Sequence, residues 1–187
     1  MTHVQWLFET ASVQLQDLVA SLEEADWARP TNCGVSVREL VEHLVAGNEF
    51  AVRLLSGAED ARSGVDELRL GPDPLGQLER SCRAQAAAFA GADRARRLRH
   101  PSGDIDVETF VRFRLGDLII HAWDLAVAAD LDATLEPALV AALWRLVEPH
   151  LQEMQAMGVY GAGTSGRLAP EADEQSRLLD AFGRAQP

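Results

Sequence analysis

Asp117 and His121 stand four residues apart in Arg114-Leu-Gly-Asp117-Leu-Ile-Ile-His121-Ala-Trp-Asp124-Leu-Ala, a segment otherwise apolar on nearly every side. On a helix, residues at i and i+4 project from one face, so an oxygen donor and a nitrogen donor would be offered to the same neighbour. That is metal-ligand geometry. Ionisable groups in such surroundings are tolerated only when paired or bound to a metal. Two partners compete for the role. Arg114, three residues before Asp117 on the same stripe, could neutralise it as an ion pair and leave His121 as a hydrogen-bonded core histidine. A divalent metal could instead take both, and that needs a further ligand.

His43 is the candidate, in Ser36-Val-Arg-Glu39-Leu-Val-Glu42-His43-Leu-Val-Ala-Gly-Asn48. Leu40, Val41, Leu44 and Val45 recur there at helical spacing, which turns the His43 ring inward toward another helix. Glu39 also lies four residues from His43, but Ser36-x-x-Glu39 is a capping box that accounts for it locally. His43, Asp117 and His121 would leave a fourth position open, the pattern of a catalytic zinc site. Nitrogen and carboxylate donors without thiolate also accept nickel, iron or manganese. Asp124 shares the stripe and could fix a histidine tautomer from behind, or make a structural hydrogen bond. Cys33, just ahead of a helix N-terminus, offers a separate nucleophile, although loop cysteines are usually inert.

The elements that must position these groups read as helices. A helix is expected from about Val4 to Glu23. A second runs from the Ser36 cap to Gly57, and a third from Asp73-Pro74 to Phe89 with Gly91 beyond it. The buried fourth spans Val107 to Ala129 behind Asp106, the fifth Pro137 to about Met157, and a short one Glu171 to Phe182. No run reads as a strand, Arg94 to Arg99 forms a basic cluster able to bind an anion, and Gly158 to Gly166 is a glycine-rich loop. The fold class is therefore all-α, an up-down four-helix bundle with additional short helices. Such bundles build metal sites from inward side chains of neighbouring helices.

A chain of 187 residues suits one domain over residues 1–187 and needs neither disulfide nor structural metal to bury a core. Its 17 basic residues, all arginine, face 29 acidic ones for a formal charge of −12, which argues against nucleic acid or an anionic membrane as partner. The N-terminus lacks the pattern of a signal peptide and no segment suffices for a membrane span, so a cytoplasmic location is expected. Cys33 and Cys82 have no metal-site or redox spacing and are expected to be free thiols.

Trp27-Ala-Arg-Pro-Thr-Asn-Cys33-Gly-Val-Ser-Val-Arg-Glu-Leu-Val-Glu-His43-Leu-Val, the Asp117 to Asp124 segment, and the closing Ser-Arg-Leu-Leu-Asp-Ala-Phe-Gly-Arg together resemble a known family. It is that of the DinB-like metal-binding four-helix proteins related to the N-terminal domain of mycothiol-dependent maleylpyruvate isomerase. The resemblance implies a metal held by a second-helix histidine and by an acid and a histidine four apart on a later helix, here His43, Asp117 and His121. Asp117 stands where the isomerase is expected to carry glutamate. The isomerase's C-terminal domain is expected to be absent, which argues against maleylpyruvate itself as substrate. The implied activity is that of a zinc-type thiol transferase or isomerase with mycothiol as cosubstrate and an electrophilic small molecule as second substrate. A metal-assisted hydrolase and a non-catalytic metal- or ligand-binding module are the alternatives, and a homodimer is expected.

Overall fold

The structure is a computed structural model and describes residues 3–157, 163–169 and 171–184; part of the glycine-rich stretch at 158–166 lies outside these. The chain divides into two compact units, Met1–Ala133 and Thr134–Pro187.

The first unit holds four long helices: α1 (His3–Ala20), α2 (Val37–Ser56), α3 (Pro74–Ala90) and α4 (Val107–Ala129). Helix α1 packs on α3 and α4, and α2 packs on the same two, so the ring order is α1, α3, α2, α4. The fold is all-α and DinB-like. Its interior is filled by Leu7, Phe8 and Leu15 from α1, Leu40 and Leu44 from α2, Leu78 and Phe89 from α3, and Phe110, Leu115 and Leu118 from α4. Phe8 stacks on Phe89 with ring centroids 4.5 Å apart. Each such side chain contributes roughly 1.5–3 kcal/mol on burial.

The helix starts follow from local chemistry. Ser36 accepts the Glu39 N–H at 3.3 Å while the Glu39 carboxylate accepts the Ser36 N–H at 2.7 Å, which completes the capping box. Asp73 accepts the Gly76 N–H at 2.9 Å ahead of Pro74. Gly57 closes α2 with a φ of 89°, a left-handed conformation that glycine adopts without steric cost.

Three expectations need correction. Helix α1 stops at Ala20, ahead of Glu23, where Ser21 turns its hydroxyl back onto the Asp17 carbonyl at 2.8 Å. The Arg-rich segment is not a plain loop: β1 (Arg97–His100) and β2 (Gly103–Asp106) form an antiparallel hairpin that pairs Leu98 with Ile105. Leu98 is 1% exposed and anchors it. Asp106 both ends β2 and caps α4, accepting the Thr109 N–H at 2.7 Å.

The second unit holds the third correction. Helix α5 (Pro137–Val147) ends before Glu148–His150, a 3-10 turn, and α6 (Leu151–Met157) follows. Pro149 lacks the amide hydrogen that a continuous helix needs there. Helix α7 (Glu174–Ala181) packs on α5, and Leu139, Leu143, Leu178 and Leu179 are buried within this unit.

Candidate metal centre

Helix α4 is the buried half of the centre. It is buried on nearly all sides and carries three ionisable residues in one stretch, Arg114, Asp117 and Asp124, together with His121. Arg114 is 4% exposed and committed on every edge. Its Nε donates to Gln85 Oε1 at 2.8 Å, Nη2 donates to Asn48 Oδ1 at 2.9 Å, and Nη1 donates to the Asp117 carboxylate. Such charge-assisted bonds are stronger than neutral ones and fix geometry as well as charge. Gly47 makes room for this arrangement. A Cβ at that position would meet the guanidinium carbon and Nη2 of Arg114 at 2.7 Å.

His121 is held from its other ring edge. Its Nδ1 lies 2.9 Å from Asp124 Oδ2, and Asp124 is fully buried. An Nδ1–H donated to that carboxylate makes Nε2 the ring nitrogen left for a metal, which would take the place of the proton held there. Burial disfavours the charged imidazolium, but the hydrogen bonds to Asp124 and Cys33 and the charge of Asp117 outweigh it, and the His121 pKa is pushed up to about 9.

The exposed half comes from α2. His43 Nε2 lies 4.0 Å from Asp117 Oδ2, and its ring meets that of His121 edge-on with centroids 5.4 Å apart. One ligating atom from each of His43, Asp117 and His121 lies within 4.8 Å of the others. The three residues singled out in the sequence are therefore brought together. The expectation that His43 points wholly inward is corrected: its side chain is 55% exposed, against 25% for Asp117. His43 reaches α4 from the rim of the bundle. Desolvation on the side it turns to the helix lowers its pKa, Asp117 opposes this, and the charges of His121 and Arg114 reinforce it. A lowered pKa keeps the imidazole neutral and its lone pair free at neutral pH.

Glu39 is occupied by the capping box and belongs to no group of convergent ligands among the described residues. Cys33 holds a place that its sequence context did not give. Its Sγ donates to Asp124 Oδ2 at 3.2 Å and lies 3.8 Å from His121 Nδ1, so the loop ahead of α2 is pinned to α4 behind the histidine. Cys33, His121 and Asp124 form a second group with ligating atoms within 4.8 Å of one another. Cys82, the other free thiol, is buried and accepts the Asn48 Nδ2–H at 3.4 Å. Burial pushes its pKa up.

Gln85 and Asn48 were not legible as part of the centre. Asn48 follows Gly47 on α2, and Gln85 sits in the alanine-rich run of α3, where polar residues at buried helical positions are the only signal. Both are 0% exposed. Among the described residues Gln85 Nε2 is the one buried side-chain polar atom without a partner.

The donor set fits a divalent cation: two imidazoles, one carboxylate, convergent atoms, and a second carboxylate orienting one imidazole. Among the described residues no helix is long and apolar enough to cross a membrane.

The model of the mycothiol maleylpyruvate isomerase N-terminal domain matches residues 8–126, which takes in α2, α3, the hairpin and the Asp117 to Asp124 segment. The chain is also similar to two uncharacterized proteins of Mycobacterium tuberculosis, Rv0738 of strain ATCC 25618 / H37Rv and MT0763 of strain CDC 1551 / Oshkosh. Each is 29% identical over 144 residues, covering 72% of this chain and 74% of the relative. No solved structure matches significantly. The helical fold, the paired donors on α2 and α4 and the match over residues 8–126 lead to one conclusion: the chain belongs to the mycothiol maleylpyruvate isomerase N-terminal domain family.

Proposed function

We propose that this protein is a metal-dependent thiol transferase or isomerase, with His43, Asp117 and His121 as the ligands and a small-molecule thiol such as mycothiol as cosubstrate. The observation that carries the reading is the convergence of one ligating atom from each of these residues at a point where His43 remains more than half exposed. A set of three on an open rim leaves room for an exchangeable ligand, as catalytic rather than structural sites do. When bound, a divalent cation such as zinc supplies Lewis acidity that lowers the pKa of a thiol cosubstrate.

The residues of the chain do the rest. Asp124 accepts the Nδ1–H hydrogen bond of His121 and leaves Nε2 as the nitrogen that would exchange its proton for the metal. Arg114 orients Asp117 through their ion pair. Gln85 and Asn48 hold Arg114 in turn, so the position of the carboxylate is set by α2 and α3 as well as by α4. The exposed side of His43 is where the thiol and an electrophilic second substrate would enter.

A second reading has one observation in its favour. Asp117 already has a counter-ion in Arg114, so the cluster could persist without metal in a non-catalytic ligand-binding module. Elemental analysis of protein purified without a chelating tag separates the two. Near-stoichiometric metal, lost in His43→Ala and in Asp117→Asn, together with a thiol that perturbs the spectrum of a cobalt-substituted sample, is the expected result. Absence of metal even after reconstitution would overturn the transferase reading.

A further inference from the structure

Arg62, Arg96, Arg97 and Arg99 are among the residues that line one cleft of about 450 Å³, formed by the C-terminal end of α2, the loop after it and the β-hairpin. In a chain of formal charge −12 four arginines among the residues lining one cleft are out of keeping with the rest. Like charges held close together repel unless something of opposite sign joins them.

Part of that charge is already matched. Arg96 donates to the Leu55 carbonyl at 2.8 Å, at the helix end where a cation is favourable. Arg97 lies 3.8 Å from Asp106 across the hairpin. Arg62 is gripped by Asp66 through Nε and Nη2, both at 3.1 Å. Glu59 and Asp60 also border the cleft. Arg99 remains: it is exposed, and among the described residues its guanidinium makes no hydrogen bond or ion pair.

Part of the wall is apolar. Leu54 and Leu98 are buried beneath the cleft, Pro101 borders it, and Phe50 meets the His100 ring edge-on at 5.7 Å. The volume of about 450 Å³ falls within the range of small-molecule sites, roughly 300–1,000 Å³. A bare inorganic anion, only a few times the ~30 Å³ share of one water, would leave most of the cleft and all of its apolar wall unused.

We propose that this cleft binds a small organic anion, with its carboxylate, sulfonate or phosphate group between Arg62 and Arg99 and its apolar body against Leu54, Phe50 and Pro101. The site is separate from the metal ligands, and its occupancy does not depend on the metal reading. It adjoins them all the same. Phe50 follows His43 by two turns on the same face of α2, roughly 10 Å along the axis, and the charge of Arg62 contributes to lowering the pKa of both His43 and His100.

The test is a fluorescence titration with 8-anilinonaphthalene-1-sulfonate and with its uncharged counterpart, N-phenyl-1-naphthylamine. It compares the wild type with Arg99→Gln, Arg62→Gln/Arg99→Gln and, as a control for net charge, Arg83→Gln on α3. One sulfonate probe should bind per chain, and the double variant should bind it about tenfold or more weakly, the order expected for a lost charge-assisted hydrogen bond. Arg83→Gln should leave binding unchanged, and the neutral probe should bind weakly to every variant. Arg99 is exposed and unpaired, so the single variant keeps the test interpretable if the double variant loses its circular-dichroism signature. Equal affinity for the two probes, wild-type affinity in Arg99→Gln and the folded double variant, or displacement of the sulfonate probe by equimolar inorganic sulfate would overturn the proposal.

Discussion

Helices α2 and α4 each bring one histidine to the same point, and they do so in opposite ways. Helix α4 is buried nearly all round, and its His121 is 13% exposed and backed by a fully buried Asp124. Helix α2 is amphipathic, and its His43 sits at the rim with a side chain 55% exposed. The contrast separates two tasks usually assigned to a metal site as a whole. The α4 side is structural, because its charges must be satisfied for the bundle to pack. On the α2 side the exposed His43 takes little part in the packing, so its loss should leave the fold intact.

Substitutions on the two sides should therefore differ in kind. The largest effect is expected for Arg114→Ala, which leaves Asp117 without its counter-ion and Asn48 and Gln85 without their donor. Breaking a buried pair of this sort costs about 3–5 kcal/mol, to be read from urea unfolding at neutral pH. A loss below about 1 kcal/mol, the ordinary worth of an exposed pair, would show that the α4 harness is not structural. Gly47→Ala comes next. Its methyl group would enter the space of a guanidinium pinned by three partners, and overpacking costs about 1–3 kcal/mol; an unchanged melting midpoint would mean that Arg114 can move aside.

Asp106→Ala should cost about 1 kcal/mol, the ordinary worth of an N-cap. It should also remove a pH dependence. Hydrogen bonds from Thr109 hold the Asp106 carboxyl below its usual pKa, so its contribution is complete above the unfolded-state value and is lost as pH falls through the folded one. The stability difference between wild type and Asp106→Asn should shrink on acidification; a constant difference from neutral pH to acid would contradict the cap. The smallest effect on stability sharpens the comparison most. His43→Ala should change unfolding of the metal-free protein by no more than about 0.5 kcal/mol, as an exposed position does, while abolishing metal retention. Equal destabilisation by His43→Ala and Arg114→Ala would erase the distinction between the two sides.

Helix starts were legible where one residue carries the signal. Ser36 with Glu39, Asp73 with Pro74, and Asp106 each announce a first turn, and α2, α3 and α4 begin there. Boundaries set by a competing local bond were not, as at Ala20, and the break at Pro149 lies inside the span expected as one fifth helix. The hairpin escaped because each strand has four residues and Leu98–Ile105 is its one apolar cross-strand pair, too little alternation to stand out from a basic loop. In the centre, the i, i+4 spacing brought out Asp117 and His121, and both rival partners for Asp117 were on the page from the sequence. Periodicity names a face but not what lies opposite it. That is why Asn48, Gln85 and the approach of Cys33 to Asp124 emerged only with the packing of the helices.

Gly47 carries a consequence for descent. The missing side chain on α2 and the long one at Arg114 on α4 fill one volume between them. Position 47 cannot gain a side chain while Arg114 keeps its place. A lineage that acquires alanine or a larger residue at 47 should already have shortened 114, and one that replaces Arg114 is released from glycine at 47. Among relatives, arginine at 114 should thus occur with glycine at 47, and arginine there with a larger residue at 47 should be rare.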